Sequence, residues 1–311
     1  MPKVSIIIPV YNVEKYIARC LNSIVNQTFS DIEIIVVNDA TPDSSMKIVK
    51  DYAKKDSRIK ILANSENCGL LWTRGVGFNA AQGEYIVFCD SDDWLPKDSL
   101  AVLYQAITKS GCDIVTGNHE GRADEYTSTF KTNYSLKYGS DKISAFKSLL
   151  KLEIPHSMCG KIYKKELFEN YDFNLQKKFI NSEDAYLFYQ LLDRSSKVIS
   201  IDNIVYYYYA NAKSSSRVVL KDRALETMTQ ACCMIDKIIS KYPVLADLKN
   251  NYLTHTACVW MLGGSCSYFR TKKALQKYNM QKYLNILYWL FITDHKKNFL
   301  KTVIKSFLFS K

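Results

Sequence analysis

The amino-terminal third of the chain alternates short apolar runs with segments whose apolar residues recur at helical spacing. The apolar runs predict strands at residues 4–9, 32–37, 59–62, 85–88 and 113–116. The intervening segments predict helices at about residues 13–27, 44–55, 71–81 and 96–108. Because strands that alternate with helices form a parallel sheet covered on both faces, the pattern predicts an α/β fold.

Polar residues follow directly after four of these predicted strands. The carboxyl ends of parallel strands meet at one edge of an open sheet, and ligands bind beyond that edge. The polar groups at this edge are Tyr11 with Asn12, Asn38 with Asp39, residues 64–67 and residues 90–93. The sequence therefore predicts one ligand site built from four loops.

The most acidic of these loops is Asp90-Ser91-Asp92-Asp93, which follows a buried strand. On an extended backbone, Asp90 and Asp92 would face one site while Ser91 turned away. Carboxylate oxygens suit Mg²⁺ or Mn²⁺, and a metal held by one or two carboxylates completes its shell with water and substrate phosphates. The alternative is a helix N-cap, in which Asp92 or Asp93 starts the following helix.

Four sequence motifs carry a family resemblance, at residues 4–12, 37–43, 67–74 and 83–93. Through most of residues 2–100 the chain resembles family 2 of the inverting glycosyltransferases. The resemblance implies a GT-A fold and transfer of a sugar from a nucleotide diphosphate sugar to a hydroxyl, usually with Mn²⁺ or Mg²⁺. We accordingly expect a catalytic domain at 1–220, with a nucleotide-sugar-binding half at 1–117 and an acceptor-binding half at 118–220.

The same resemblance implies roles for individual residues. Asp92 is the implied principal metal ligand, with Asp90 beside it. The implied nucleotide-sugar-binding residues are Pro9, Tyr11, Asp39, Asn67, Arg74, Asp90 and Ser91. Structural alternatives remain: Asp39 as a cap of the following helix, Tyr11 as a core residue, and Arg74 as a surface charge. Asn38, Ala40 and Gly75 depart from the common family pattern. The nucleotide base of the donor is therefore specified only as a preference for uridine.

Inverting transfer also needs a base that takes the proton of the acceptor hydroxyl. Glu183 and Asp184 open an amphipathic helical pattern and resemble an acid pair of the family. The resemblance implies Asp184 as the base and Glu183 as its orienting partner or substitute. Alternatively, both acids simply stabilise the start of the helix through its dipole.

Acceptor contacts are expected between the sheet and this helix. The segment 156–164 resembles the family segment that precedes the acid pair, and it supplies His156 and Lys161 as candidates, with Asp93 as a third. Residues 120–134 predict a loop or a ragged strand pair. Tyr206–Tyr209, followed by residues 214–217, resembles a family element that folds over the nucleotide, and the alternative is a strand with one buried aromatic face.

The chain from residue 221 onward has a helical pattern and an uneven charge. Ten Lys or Arg residues and one acid, Asp294, lie between 270 and 311, in a chain of net charge +11. Apolar pairs recur every four residues from Phe299 to Leu308, bordered by Lys297, Lys301 and Lys305. Such an arc suits an anionic lipid surface, so we predict a helical, basic, membrane-associating region at 221–311. The alternative is that the arc packs on the catalytic domain.

Composition refines the expected location and partners. The nine cysteines are scattered without a CxxC pair, which favours reduced thiols. An apolar strand pattern starts at Val4, too early for a secretion signal, so we expect a cytoplasmic protein at the inner face of the cell membrane. The basic charge lies in an aliphatic helical segment, which does not favour nucleic acid.

The resemblance implies a hexosyl- or N-acetylhexosaminyltransferase that adds one sugar, expected from a UDP-sugar, to a lipid-linked or other carrier-linked glycan in bacterial surface polysaccharide synthesis. The chain lacks the glutamine-arginine-tryptophan signature of processive synthases. Three alternatives remain open: transfer to a polyprenyl phosphate, nucleotidyl transfer on a related fold, and a non-catalytic nucleotide-sugar-binding scaffold. Transfer to a polyprenyl phosphate would need no catalytic base, because a phosphate acceptor is already ionised. A catalytic base therefore distinguishes transfer to a hydroxyl from this first alternative.

Overall fold

The computed structural model describes residues 1–136, 139–171, 179, 182–209, 222–262, 273, 275–277 and 279–280. The chain divides into two compact units. Unit 1 comprises Met1–Phe179 and Gln190–Ser214, and unit 2 comprises Ile180–Tyr189 and Ser215–Lys311. The domain boundaries proposed at residues 117 and 220 stay predictions.

The first half of unit 1 is a parallel sheet. Its strands are β1 (Val4–Val10), β2 (Ile32–Asn38), β3 (Ile59–Ala63) and β4 (Tyr85–Phe88), in the order β3-β2-β1-β4. The helices are α1 (Ile17–Val25), α2 (Ser45–Ala53), α3 (Leu70–Ala80) and α4 (Ser99–Ser110). Every residue of β1 is buried, as expected for a strand covered on both faces. The predicted α/β architecture is confirmed.

The rest of the sheet is mixed. It contains β5 (Ile114–Arg122), β6 (Ser128–Lys131), β7 (Lys161–Lys164) and β8 (Val198–Tyr209), with α5 (Lys142–Leu150) between β6 and β7. β7 lies antiparallel between β4 and β5, an insertion that the sequence pattern did not predict. β5 pairs in parallel with β8 and antiparallel with β6. A register shift between Gly121 and Arg122 confirms the ragged strand pair.

The helices that follow β7 are α6 (Glu183–Arg194), α7 (Asp222–Ile239) and α8 (Ala246–Leu262). Within unit 2, the rings of Tyr189 and Tyr252 lie 6.3 Å apart, and Lys249 pairs with Asp236 at 2.7 Å. The helical pattern predicted after residue 221 is confirmed as far as residue 262. Among the described residues, no helix has both the length and the apolar character needed to cross a membrane. The arc at 299–308 lies outside the described residues, so its membrane association stays a prediction.

Candidate active site

The acidic cluster Asp90–Asp93, called here the acidic turn, follows β4 as a reverse turn. The backbone N–H of Asp93 donates to the carbonyl oxygen of Asp90 at 3.1 Å and closes the turn. Ser91 and Asp93 are buried, whereas Asp90 and Asp92 are partly exposed. The expected extended geometry is therefore wrong, although Asp90 and Asp92 are the two more accessible acids. The N-cap alternative is also wrong, because α4 begins at Ser99 and its N-cap is Asp98.

A buried arginine orients the first acid of the turn. Arg74 of α3 is fully buried, and its Nη2 donates to Oδ1 of Asp90 at 2.9 Å. Its guanidinium also lies 5.6 Å from the centroid of the Phe88 ring. The Asp90 side chain is still 33% exposed. Arg74 is thus no surface charge: it fixes a carboxylate that remains open to a ligand.

The last acid of the turn points into the protein. Asp93 is 2% exposed, and its Oδ2 and Oδ1 accept hydrogen bonds from the Tyr206 hydroxyl at 2.6 Å and the Tyr209 amide at 2.7 Å. Burial raises the pKa of Asp93 well above its usual range. The charges of Asp92 and Asp90 raise this pKa further, whereas the two hydrogen bonds lower it. The side-chain hydrogen bonds described for Asp93 go to β8, and its role as an acceptor contact stays a prediction.

The turn is also held from the side of α1. Nη2 of Arg19 donates to the carbonyl oxygen of Asp92 at 2.9 Å. The guanidinium of Arg19 lies 3.8 Å from the Trp94 ring centroid and 4.6 Å from that of Tyr209. Such cation–π contacts favour a fixed arginine position. Sequence reasoning missed Arg19, because a lone arginine in an amphipathic helix carries no signal of a distant partner.

Asp39 organises the loop that leads into α3. Its Oδ1 accepts hydrogen bonds from Asn64 Nδ2 at 2.7 Å and from the Cys68 amide at 2.8 Å, and its Oδ2 accepts one from the Gly69 amide at 2.9 Å. Gly69 has φ 91°, a left-handed value that favours glycine. Asp39 therefore holds the loop that precedes α3, and its described hydrogen bonds do not go to the helix that follows it in sequence. This loop presents Asn67, which is exposed.

The end of β1 supplies the remaining predicted nucleotide contacts. Pro9 is buried opposite Val37 of β2. Tyr11, just beyond the strand, is 47% exposed, so it is not a core residue. The next residue, Asn12, has φ 57° and donates its backbone N–H to Thr41 Oγ1 at 2.7 Å. Tyr11, the Asp39 loop and the acidic turn all follow carboxyl ends of the parallel strands, on the predicted edge.

The predicted acceptor residues occupy different environments. Lys161 of β7 is fully buried, and its Nζ donates to the carbonyl oxygen of Ser157. Burial, and then the nearby Lys161 charge, lower the pKa of His119 to about 3. His156 is half-buried. These contacts place Lys161 in the interior of unit 1, and the acceptor roles of Lys161 and His156 stay predictions.

The proposed base and its partner lie in unit 2. Glu183 and Asp184 occupy the first turn of α6, and both are half-buried. Acids in this position are stabilised by the helix dipole. Their position is therefore compatible with the capping alternative, and the catalytic roles stay predictions.

The donor set of the acidic turn fits a divalent cation that shares its ligands with a substrate. Among the described residues, no group of three or more His, Cys, Asp or Glu residues could hold a metal ion. Mg²⁺ is commonly bound by one or two carboxylates together with substrate phosphates. Asp90 and Asp92 are two partly exposed carboxylates at the ligand-binding edge of the sheet, which matches that mode.

Comparison with known proteins gives the family. Residues 5–172 match the family described as "Glycosyl transferase family 2". The chain belongs to glycosyltransferase family 2. The family and the enzyme class predicted from the sequence are confirmed.

Two bacterial relatives illustrate the sequence similarity. The glycosyltransferase GlyA of Streptococcus pneumoniae is 37% identical over 225 residues, which are 70% of this chain and 32% of GlyA. The minor teichoic acid biosynthesis protein GgaB of Bacillus subtilis is 31% identical over 219 residues, 68% of this chain and 23% of GgaB. The chain thus spans about a third or less of the length of these two relatives.

Solved structures confirm the GT-A fold. Staphylococcus aureus TarS 1–349, solved in complex with UDP-GlcNAc, has a TM-score of 0.64 at 20% identity, and the alignment covers 90% of each chain. The mannosyltransferase PcManGT of Pyrobaculum calidifontis, solved with GDP-Man and Mn²⁺, has a TM-score of 0.55 at 16% identity. That alignment covers 91% of this chain and 85% of PcManGT.

Proposed function

We propose that this chain transfers a single sugar, with inversion, from a UDP-sugar to a hydroxyl of a carrier-linked glycan in cell-surface polysaccharide synthesis. The observation that carries the proposal is the assembly at the edge of the sheet: the Arg74–Asp90 pair, the accessible Asp92 and the loop held by Asp39. The relatives support it, since TarS was solved with UDP-GlcNAc and GgaB is named for teichoic acid synthesis.

On the donor side, Asp92 and Asp90 would hold Mn²⁺ or Mg²⁺. Such an ion offsets the negative charge that develops on a leaving diphosphate. Arg74 is buried and acts through Asp90, which it orients at 2.9 Å. Arg19 orients the backbone of Asp92 in the same way, at 2.9 Å. The exposed ring of Tyr11 is available to contact the uracil ring of the donor nucleotide. Asn67 lies on the loop that Asp39 holds.

On the acceptor side, we assign Asp184 as the base and Glu183 as its orienting partner. The acceptor oxygen attacks the anomeric carbon opposite the diphosphate, its proton passes to the Asp184 carboxylate, and the bond from carbon to the diphosphate oxygen breaks. The partial exposure of both acids supports this role, because a base must be reachable by the acceptor.

Asp184→Asn tests the base. We expect turnover to fall by about 10²- to 10⁴-fold, the usual contribution of a general base, with UDP-sugar affinity unchanged. The matched control is Asp202→Asn, which neutralises an exposed carboxylate on β8. An Asp184→Asn protein that keeps full turnover would contradict the proposed base and favour an ionised acceptor such as polyprenyl phosphate.

The donor itself is tested by calorimetry with a panel of UDP- and GDP-sugars, each with and without Mn²⁺ or Mg²⁺. The proposal predicts metal-dependent binding of a UDP-sugar by the wild type, and loss of that binding in Asp92→Asn. Absence of binding to every donor by the folded wild type would contradict it. Metal-dependent binding without transfer to any glycan acceptor would favour the non-catalytic scaffold.

A further inference from the structure

We propose that Tyr206 of β8 is a positioning residue for the metal-facing acids, and that it acts through Asp93; this inference rests on the proposed function. The Tyr206 hydroxyl bridges the two ends of the acidic turn. It donates to Oδ2 of Asp93 at 2.6 Å and accepts from the backbone N–H of Asp90 at 3.2 Å. Asp92, the proposed principal metal ligand, lies between these two attachment points.

The bridge lies in the interior, where water cannot easily replace it. Tyr206 is 1% exposed and Asp93 is 2% exposed. A tyrosine hydroxyl has one proton to donate, and here it also accepts, so both functions are used inside the turn. Removing the oxygen would leave the Asp90 amide and a carboxylate oxygen of Asp93 without this partner, which favours relaxation of the turn.

Backbone hydrogen bonds also attach β8 to the acidic turn and to Trp94. They hold the strand itself, whereas the Tyr206 hydroxyl holds the turn. The amide of Tyr209 donates to Oδ1 of Asp93 at 2.7 Å. Trp94 and Tyr207 exchange two backbone hydrogen bonds, at 3.3 and 2.9 Å. These backbone contacts do not depend on the Tyr206 hydroxyl, so they would keep β8 in place in a Tyr206→Phe protein. The hydroxyl is the part of β8 that reaches the Asp90 backbone.

The arrangement of charge also favours positioning over a simple packing role. Asp93 follows Asp92 directly and lies three residues from Asp90, and in the described part of the chain no ion pair joins Asp93 to a Lys or Arg. A buried acid beside two further acids disfavours folding unless hydrogen bonds offset the repulsion. Holding three acids in one short turn is useful where a cation binds.

Tyr206→Phe tests the inference, with Tyr163→Phe as the matched control. Tyr163 is also fully buried, on β7, and its hydroxyl donates to the carbonyl oxygen of Met158 at 3.0 Å, away from the acidic turn. Each variant removes one buried hydroxyl and should lower the free energy of unfolding, Tyr206→Phe by more because two groups lose this partner. Electron paramagnetic resonance then measures the Kd for Mn²⁺ in the presence of UDP.

We expect Tyr206→Phe to raise the Kd for Mn²⁺ on the order of tenfold, the lower end for loss of a residue that orients metal ligands. We expect Tyr163→Phe to leave this Kd at the wild-type value. Equal values for the two variants would overturn the inference. A double variant, Tyr206→Phe with Asp93→Asn, should show no more than the larger single effect, because residues that act as one unit are not additive. If the fold-changes of the two single variants multiplied in the double variant, Tyr206 and Asp93 would not act as one unit.

Asp92→Asn separates this inference from the proposed function. If Asp92→Asn binds Mn²⁺ with UDP as tightly as the wild type, the proposed metal site is wrong, and the inference falls with it. If Asp92→Asn loses Mn²⁺ while Tyr206→Phe behaves like Tyr163→Phe, the metal site stands and only the role of Tyr206 is wrong.

Discussion

Glu33 and Asp93 are buried carboxylates at opposite ends of the same sheet, and they differ in the charges around them. Glu33 lies near the amino end of β2 and is 3% exposed, whereas Asp93 lies beyond the carboxyl end of β4 and is 2% exposed. Each accepts a hydrogen bond of 2.6 Å from a hydroxyl, that of Ser5 for Glu33 and that of Tyr206 for Asp93. The two carboxylates differ in their remaining hydrogen-bond donors and in the charges of their neighbours.

The negative charge of Glu33 is balanced by a lysine and by backbone amides. Lys60 donates to its Oε2 at 2.7 Å, and the backbone amides of Gln82 and Gly83 donate to its Oε1 at 2.6 and 3.1 Å. Burial by itself would raise the pKa of Glu33, but the hydrogen bonds from Lys60, Ser5 and the Gln82 amide outweigh it and lower that pKa. The carboxylate joins β1, β2 and the start of β4, which is a structural role.

Asp93 instead has acids for neighbours. Its pKa is raised by burial and then by the charges of Asp92 and Asp90. Arg74 pairs with Asp90 at this end of the sheet, whereas the hydrogen bonds described for Asp93 come from an uncharged hydroxyl and a backbone amide. Buried acids with perturbed pKa values are enriched at functional sites. We propose that the amino end of this sheet uses a buried acid for stability, whereas the acids at the carboxyl end serve the proposed cation site.

The largest expected effect is that of Asp92→Asn. Transfer should fall by more than about 100-fold, because loss of a metal ligand should exceed the roughly 10- to 100-fold loss typical of residues that only orient such ligands. The free energy of unfolding should change by no more than about 0.5 kcal/mol, because Asp92 is partly exposed. Urea unfolding and a transfer assay on the same preparation measure both quantities. A strongly destabilised Asp92→Asn protein would break the comparison.

Glu33→Gln should show the opposite behaviour. We expect a loss of about 2 kcal/mol in the free energy of unfolding, since hydrogen bonds to a buried charged group are removed and Lys60 loses its partner. The Kd for UDP with Mn²⁺ should be unchanged in the folded protein. A variant of normal stability whose nucleotide binding is impaired would show that Glu33 belongs to the site.

The smallest effect is a pH dependence. The pKa of Glu33 is lowered from its ordinary value of 4.5, so its stabilisation is fully present above that value and is lost as the pH falls through the lowered folded-state pKa. The stability difference between wild type and Glu33→Gln should therefore shrink as the pH falls below 4.5. Urea midpoints at several pH values test this, and a difference that grows on acidification would contradict it.

The sequence predicted the part of the site that follows from local pattern. Apolar strands ending in polar loops place Tyr11, Asp39 and the acidic turn on one edge, and the structure agrees. The contacts that orient these residues were not predictable, because they join distant segments. Tyr206 and Asp93 are 113 residues apart, so the local hydrophobic pattern of the sequence does not predict their hydrogen bond.

The missed strand has a similar cause. β7 has only four residues, Lys161–Lys164, and two of them are lysines, so its pattern resembles an exposed loop. Its place between β4 and β5 depends on pairing with segments far away in sequence, which tertiary context decides. The same holds for Asp39, whose carboxylate binds the loop before α3, about 30 residues away in sequence.

The most direct test of the central claim is the binding of Mn²⁺ to the folded protein with and without UDP, measured by electron paramagnetic resonance for wild type, Asp92→Asn and Glu33→Gln. We predict one UDP-dependent Mn²⁺ site in wild type and in Glu33→Gln, and its loss in Asp92→Asn. Equal Mn²⁺ binding by wild type and Asp92→Asn, or loss of binding in a folded Glu33→Gln protein, would contradict the division between the two ends of the sheet.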